Sequence, residues 1–124
     1  MDRGRRFTVQ ERLRKRRQYL DVYGRGMKVH CPHFVLYALE NGLRYHRLGI
    51  TVSRKIGKAV VRNTIKRRLR EVFRTNKPRS DVTFDLVLNV RKSAADAVFD
   101  KLQTDFREAL SRLEKGKQLA QRTP

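Results

Sequence analysis

Eleven Lys or Arg and a single carboxylate, Glu71, fall between residues 54 and 79, a composition suited to gripping phosphates. In the run Lys58 to Glu71, steps of about 100° per residue gather Asn63, Lys66, Arg67, Arg70 and Arg74 on one side of a helix, with Arg62 at the border. Val61, Ile65, Leu69, Val72 and Phe73 recur at helical spacing on the other side and give the segment an apolar stripe to bury. A guanidinium holds a phosphate through a two-pronged fork, a lysine acts as a point charge, and an asparagine can read a base edge or a sugar. Tyr19 and Tyr23, one turn apart, with Phe34 and Tyr37 on a neighbouring strand, supply rings on which the bases of a single strand can stack.

Other chemistries are poorly served. His30-Cys31-Pro32-His33 places potential metal ligands close together, but a zinc site needs three or four, and His46 is the only further histidine. Ser53 has no obvious His partner. Asp96 and Asp100 stand one helical turn apart, as do Lys101 and Asp105, the spacing of solvated helix pairs. Asp81 and Asp85 flank a strand and suit turn capping better than ligand binding. Two-metal nucleases need a tight carboxylate cluster, and none is legible. Gly24-Arg25-Gly26 lacks the further glycine and the helix of a phosphate loop. The expectation is a binding protein with no catalytic residues and no metal site of its own.

Thirty-one Lys and Arg against twelve Asp and Glu give a net charge of +19 in 124 residues. Such an excess makes a compact fold repel itself unless a polyanion offsets it, and nucleic acid does so by releasing counterions. A membrane surface is the weaker partner, because it calls for a basic helix with a broad apolar face and no other core elements. Cys31 is the only cysteine, so no intramolecular disulfide can form, as in a reducing compartment. With no apolar run of membrane-spanning length and no signal-peptide core at the start, the cytoplasm is the default location. The length fits one domain, residues 1–124, with an ordered core of about 10–113 between a basic start and a polar tail.

The elements that must position these residues are legible in outline. Thr8-Val-Gln-Glu11 has the form of a capping box, so a first helix begins near Val9 or only near Lys15. It runs to Tyr23, stopped by Gly24 and Gly26, with Leu13, Arg16 or Arg17, Leu20 and Tyr23 on its inner edge. A short edge strand is expected at 27–30. The apolar stretch 33–39 and residues 44–53 read as a hairpin across Asn41-Gly42. Gly57 precedes the basic helix; Asn76 and Pro78 end it. Residues 82–90 form the clearest strand. Ser93 caps a final helix carrying Val98, Leu102, Phe106, Leu110 and Leu113, which frays after Glu114. The order predicts an α+β sandwich, one sheet covered by helices.

Leu48-Gly-Ile-Thr-Val-Ser-Arg-Lys-Ile-Gly-Lys-Ala-Val-Val-Arg-Asn-Thr-Ile-Lys-Arg-Arg-Leu-Arg-Glu71 resembles the bacterial ribonuclease P protein component. That family has a Gly-hydrophobic-Ser/Ala-Val-Ser/Ala-Lys-Lys strand leading into a helix with Ala-Val-x-x-Arg-Asn-Arg-x-Lys-Arg-x-x-Arg-Glu. Weaker similarity extends over roughly residues 10 to 113. Thr64 replaces the second arginine of the family's Arg-Asn-Arg signature, and Arg54 stands where lysine is common.

The resemblance implies a ribosomal S5 domain 2-like fold in the order α-β-β-β-α-β-α, a two-layer sandwich on a four-stranded sheet with a left-handed βαβ crossover. It implies partnership with a catalytic RNA that uses Mg²⁺, held at the RNA rather than in a protein site, to remove the 5′ leader of precursor tRNA. Lys58, Arg62, Asn63, Lys66, Arg67 and Arg70 would face the catalytic RNA. Tyr19, Tyr23, Phe34, Tyr37, Ser53 and Lys55 would line the leader cleft. Neither a membrane nor an obligate protein partner is implied. A ribosomal or chaperone-like RNA-binding module would explain the charge but not the paired helix motif and aromatic cleft. A duplex-DNA reader would need a helix free to enter the major groove.

Overall fold

The computed structural model describes residues 7–78 and 81–122, with side chains through residue 116. The first six residues, Arg79, Ser80 and the last two lie outside the described residues. Seven main elements follow in the expected order: α1 (Arg16–Arg25), β1 (Met27–His30), β2 (Phe34–Glu40), β3 (Arg47–Thr51), α2 (Ala59–Thr75), β4 (Phe84–Val90) and α3 (Phe99–Arg122). Short 3-10 turns occur at Val9–Glu11, Arg54–Ile56 and Lys92–Ala95.

One four-stranded sheet runs in the order β1-β2-β4-β3. The hairpin expected between β2 and β3 is therefore overturned. Gly42 does make a turn at φ 65°, and the Asn41 amide oxygen accepts from the Leu43 N–H at 2.8 Å. But β4 inserts between the two strands, antiparallel to β2 (Leu36 opposite Leu88) and parallel to β3 (Leu48 opposite Leu86). A run as apolar as Phe84-Asp-Leu-Val-Leu88 is a central strand needing a neighbour on each side, and a local turn signal cannot outweigh that burial.

Strand alternation divides the core in two. Phe34, Leu36, Ala38, Phe84, Leu86 and Leu88 point to the face covered by α2 and α3, where they meet Ile65, Leu69, Val72, Phe73, Leu102 and Phe106. Phe73 sits edge-on to Phe7 at 5.4 Å and to Phe106 at 6.5 Å. Each such side chain, fully buried, contributes roughly 1.5–3 kcal/mol. Val87, Tyr37 and Leu39 point to the opposite face and pack with Leu13, Tyr19, Val22 and Tyr23. The expected α+β sandwich stands, with α1 added on the face opposite α2 and α3.

The start of α1 differs from the simplest sequence expectation. Glu11 Oε1 accepts from both the Thr8 N–H and the Thr8 hydroxyl at 3.0 Å, so the capping box closes, but around the 3-10 turn. The helix itself begins at Arg16, where Gln18 Oε1 accepts from the N–H groups of Arg14 and Lys15 at 3.0 Å. Its inner edge carries Tyr19, Val22 and Tyr23; Leu20, expected inside, is 55% exposed. It passes through Gly24 and stops at Gly26, where an added Cβ would lie 2.5 Å from the Val22 carbonyl oxygen and 2.8 Å from that of Ala38. At the other end, Lys92–Ala95 forms its own turn before α3, leaving Val98 64% exposed, and α3 continues past Glu114 to Arg122. The segment after Glu114 is rich in good helix formers, which offsets its lack of an apolar stripe.

Candidate nucleic-acid interface

Helix α2 is amphipathic as its spacing requires. Ile65, Leu69, Val72 and Phe73 are buried, while Val61 is a border residue, 36% exposed. On the outward side, Lys58, Asn63, Arg67 and Arg70 are exposed, and Arg62 and Lys66 are half-buried. Arg62 Nε is shielded from solvent and has no hydrogen-bond partner among the described residues. Two cations of the helix are spent internally. Arg74, expected on the phosphate-gripping face, forks onto Glu71 at 2.9 and 2.5 Å and holds that carboxyl below its ordinary pKa. Arg68 donates to the Ala97 carbonyl at 3.4 Å, tying α2 to the approach of α3. The Thr64 hydroxyl turns back to donate to the Val60 carbonyl at 2.9 Å, so this position extends no donor outward.

Across the sheet, Tyr23 and Tyr37 meet edge-to-face at 4.8 Å, and the Tyr23 hydroxyl donates to Thr51 Oγ1 at 2.9 Å. The Lys28 ammonium lies 5.6 Å from the Tyr37 ring centroid. Tyr19 is fixed by its hydroxyl, which donates to the Leu13 carbonyl at 3.2 Å, and burial raises its phenol pKa. Its ring lies against Gly49, where a Cβ would be 2.6 Å from Cε1. Ser53 and Lys55 are exposed at the β3–α2 junction.

Phe34 does not belong to this group. It is 0% exposed and packs in the core beneath α2 and α3. Phe34 and Tyr37 are three residues apart on one strand, so their side chains project from opposite faces. Parity along β2 could have shown this.

At the outer edge of β3 the two sets of residues meet. Arg12 bridges to Leu48 there, with its guanidinium 5.0 Å from the Phe7 ring centroid. Arg12, Lys66 and Arg70 then converge with Tyr19 around a recess of about 140 Å³, whose lining contains no carboxylate. Tyr19 of the aromatic group and two cations of the basic helix thus line one recess. Sequence reasoning missed Arg12, Lys28 and Gly49; the positions that face one another across a sheet become visible only once strand order is known.

The remaining polar groups serve the fold. Arg47 and Asn41 hold Asp85, and Lys77 pairs with Glu11 at 2.6 Å. Asp85 is thus an ion-pair residue within β4 rather than a turn cap. Cys31 is buried, its thiol pushed up to about 11 by desolvation, while His33 bonds to the Ser93 hydroxyl at 2.9 Å. Among the described residues, no three His, Cys, Asp or Glu are grouped to hold a metal, and no helix is long and apolar enough to cross a membrane.

The ribonuclease P family model matches residues 7–114. The ribonuclease P protein component of Syntrophus aciditrophicus is 50% identical over 78 residues, 63% of this chain and 66% of that protein. That of Thermotoga maritima is 46% identical over 90 residues, 73% of this chain and 77% of its own length. Among solved structures, the RNase P protein of Staphylococcus aureus superimposes with a TM-score of 0.75 at 33% identity, covering 83% of this chain and 94% of that one. The Thermotoga maritima RNase P protein gives 0.74 at 39% identity, over 82% and 96%.

Proposed function

This chain belongs to the ribonuclease P protein family, and from that membership we propose that it binds both the catalytic RNA and the single-stranded 5′ leader of precursor tRNA, assisting removal of the leader. The family places it in an endoribonuclease complex of tRNA processing with an RNA partner. Lys58, Arg62, Asn63, Lys66, Arg67 and Arg70 dock on catalytic-RNA phosphates. Tyr19, Tyr23, Tyr37, Ser53 and Lys55 line the path of the leader. The observation that carries this reading is the shared recess, where Tyr19 of the groove and Lys66 and Arg70 of the helix lie around one space. A strand running along the groove is delivered to the face that holds the catalytic RNA.

The protein's contribution is electrostatic and positional. Phosphate contacts fix the register of the two RNAs, and ring stacking holds the leader with little sequence demand. Bond cleavage is left to groups in the RNA, with Mg²⁺ supplying charge neutralisation there. The carboxylates Glu11 and Asp85 are held by Lys77 and Arg47, a donor set that fits ion pairing rather than a protein-borne metal. The complex works in the cytoplasm and needs no obligate second protein.

Reconstitution with a bacterial catalytic RNA and end-labelled precursor tRNA tests the assignment. Cleavage at the mature 5′ end should be absent with protein alone and strongly enhanced at low Mg²⁺ when protein joins the RNA. Efficient cutting of precursor by the isolated protein would overturn it.

A further inference from the structure

Asn89 is the only exposed residue of β4, a strand otherwise buried on both sides. It lies on a central strand, flanked by Val35 of β2 and Thr51 of β3, its partners in register. Asparagine is disfavoured in strands, and the middle of a sheet gives it no turn or cap to serve. Among the described residues its side-chain amide has no hydrogen-bond partner, so nothing within the fold offsets that preference.

Its position explains it better than its propensity. Asn89 is two residues beyond Val87, so it shares the sheet face on which Tyr19, Tyr23 and Tyr37 pack. The row Val35–Asn89–Thr51 stands about 6.7 Å further along the strands than the row Tyr37–Val87–Gly49. Thr51 is already engaged by the Tyr23 hydroxyl at 2.9 Å. In the row next to the rings, the Asn89 amide is thus the side chain with free donors and a free acceptor. A base resting against Tyr23 or Tyr37 spans one such row and presents its polar edge to the next.

We infer that Asn89 reads the edge of one leader base, giving the groove a sequence preference that ring stacking alone does not supply. The amide offers two N–H donors and a carbonyl acceptor side by side, the pattern that pairs with the adjacent donor and acceptor on a nucleobase edge. This rests on the proposal that the leader occupies the groove.

The test uses enzyme reconstituted from this protein and a bacterial catalytic RNA. Precursor tRNAs carrying each of the four bases at successive leader positions are titrated against the native protein, Asn89→Ala and Asn89→Val. Valine is a strong strand former and guards against loss of the fold. Native enzyme should discriminate among bases at one position by roughly fivefold or more. Both variants should compress that spread to within about twofold, the range stacking allows, while affinity for catalytic RNA stays unchanged. An unaltered spread in both variants, or no spread in the native enzyme, overturns the role of Asn89 and leaves leader binding standing. Equal affinity for leader-bearing and mature tRNA would overturn the groove assignment itself.

Discussion

The ring of Tyr19 rests on the backbone of Gly49, so close that a β-carbon there would lie 2.6 Å from the ring. The glycine lets α1 settle on β3 and places an aromatic wall beside the cations of α2. The contact is to the far end of a side chain that can swing away, so Gly49→Ala should fold with Tyr19 displaced. Overpacking of this kind costs about 1–3 kcal/mol, read from the shift in urea midpoint. Leader-dependent affinity should fall roughly tenfold, within the range of one lost stacking contact. In a double-mutant cycle, Tyr19→Ala should add little once Gly49→Ala is present. Additive losses would show that Gly49 does not position the ring.

Lys66 and Arg70 share a recess with Tyr19, whereas Asn63 and Arg67 face outward without touching it. Removing Lys66 or Arg70 should therefore weaken both catalytic-RNA assembly and leader-dependent binding. Asn63→Ala and Arg67→Ala should weaken assembly alone. Each lost Lys or Arg contact should flatten the dependence of log affinity on log salt by about one unit, while Asn63→Ala, which removes no charge, should leave that slope unchanged. Binding titrations at several salt concentrations, with leader-bearing and mature tRNA, separate the outcomes. Identical effects of all four substitutions on every RNA would erase the distinction.

Segments with a strong internal period were legible in the sequence: the basic helix, strand β4 and the apolar stripe of α3. The residues that follow from a partner across the sheet were not. Asn41-Gly42 announces a turn, but a turn signal does not say that β4 will insert behind it. Phe34 looked like a cleft residue because it is aromatic and near Tyr37; the period of two puts it in the other core. Arg12, Lys28 and Asn89 acquire meaning only from their register and the element beside them. The cation comb on α2 was legible almost whole, yet Arg74 is engaged by Glu71 through a three-residue spacing that an i,i+3 pair rule predicts.

Arg47 and Asp85 are opposite one another on β3 and β4, joined by two hydrogen bonds of 2.7 Å, and Asn41 adds a third donor at 2.9 Å. The Asp85 side chain is 9% exposed and that of Arg47 21%, so the pair is shielded more than a surface bridge. Arg47 has its pKa raised, chiefly by the hydrogen bonds to Asp85. Asp85→Ala strands a partly buried guanidinium and leaves the Asn41 amide nitrogen only the Tyr45 carbonyl, and should cost about 3 kcal/mol in chemical denaturation. Arg47→Met keeps much of the stem's packing but leaves the carboxylate with the Asn41 amide as its one remaining donor among the described residues. Replacing both residues with apolar ones of similar size should recover part of the loss. A loss below about 0.5 kcal/mol for Asp85→Ala would mark the pair as an ordinary surface bridge.

His46 makes stability depend on pH. It is 8% exposed and stacks on Phe84 with ring centroids 6.1 Å apart. The Phe84 N–H donates to its Nδ1 at 3.0 Å, which leaves Nε2 to donate to the Pro78 carbonyl at 3.1 Å. Both ring positions are thus used by the neutral form. Burial lowers its pKa; the Pro78 hydrogen bond and Glu11 work against that, and Lys77 adds to it. The folded protein therefore binds this proton more weakly than the unfolded chain. The His46 contribution is fully present above the ordinary histidine pKa of about 6.5 and is lost as pH falls through the lower folded value. The slope from this one group cannot exceed about 1.4 kcal/mol per pH unit. His46→Asn keeps an acceptor near the Nδ1 position but cannot titrate. Urea midpoints of both proteins between pH 8 and 5 should run parallel above about pH 7 and diverge below it, with the native protein falling faster. Parallel curves across the whole range would show that the proton enters the folded and unfolded chains equally.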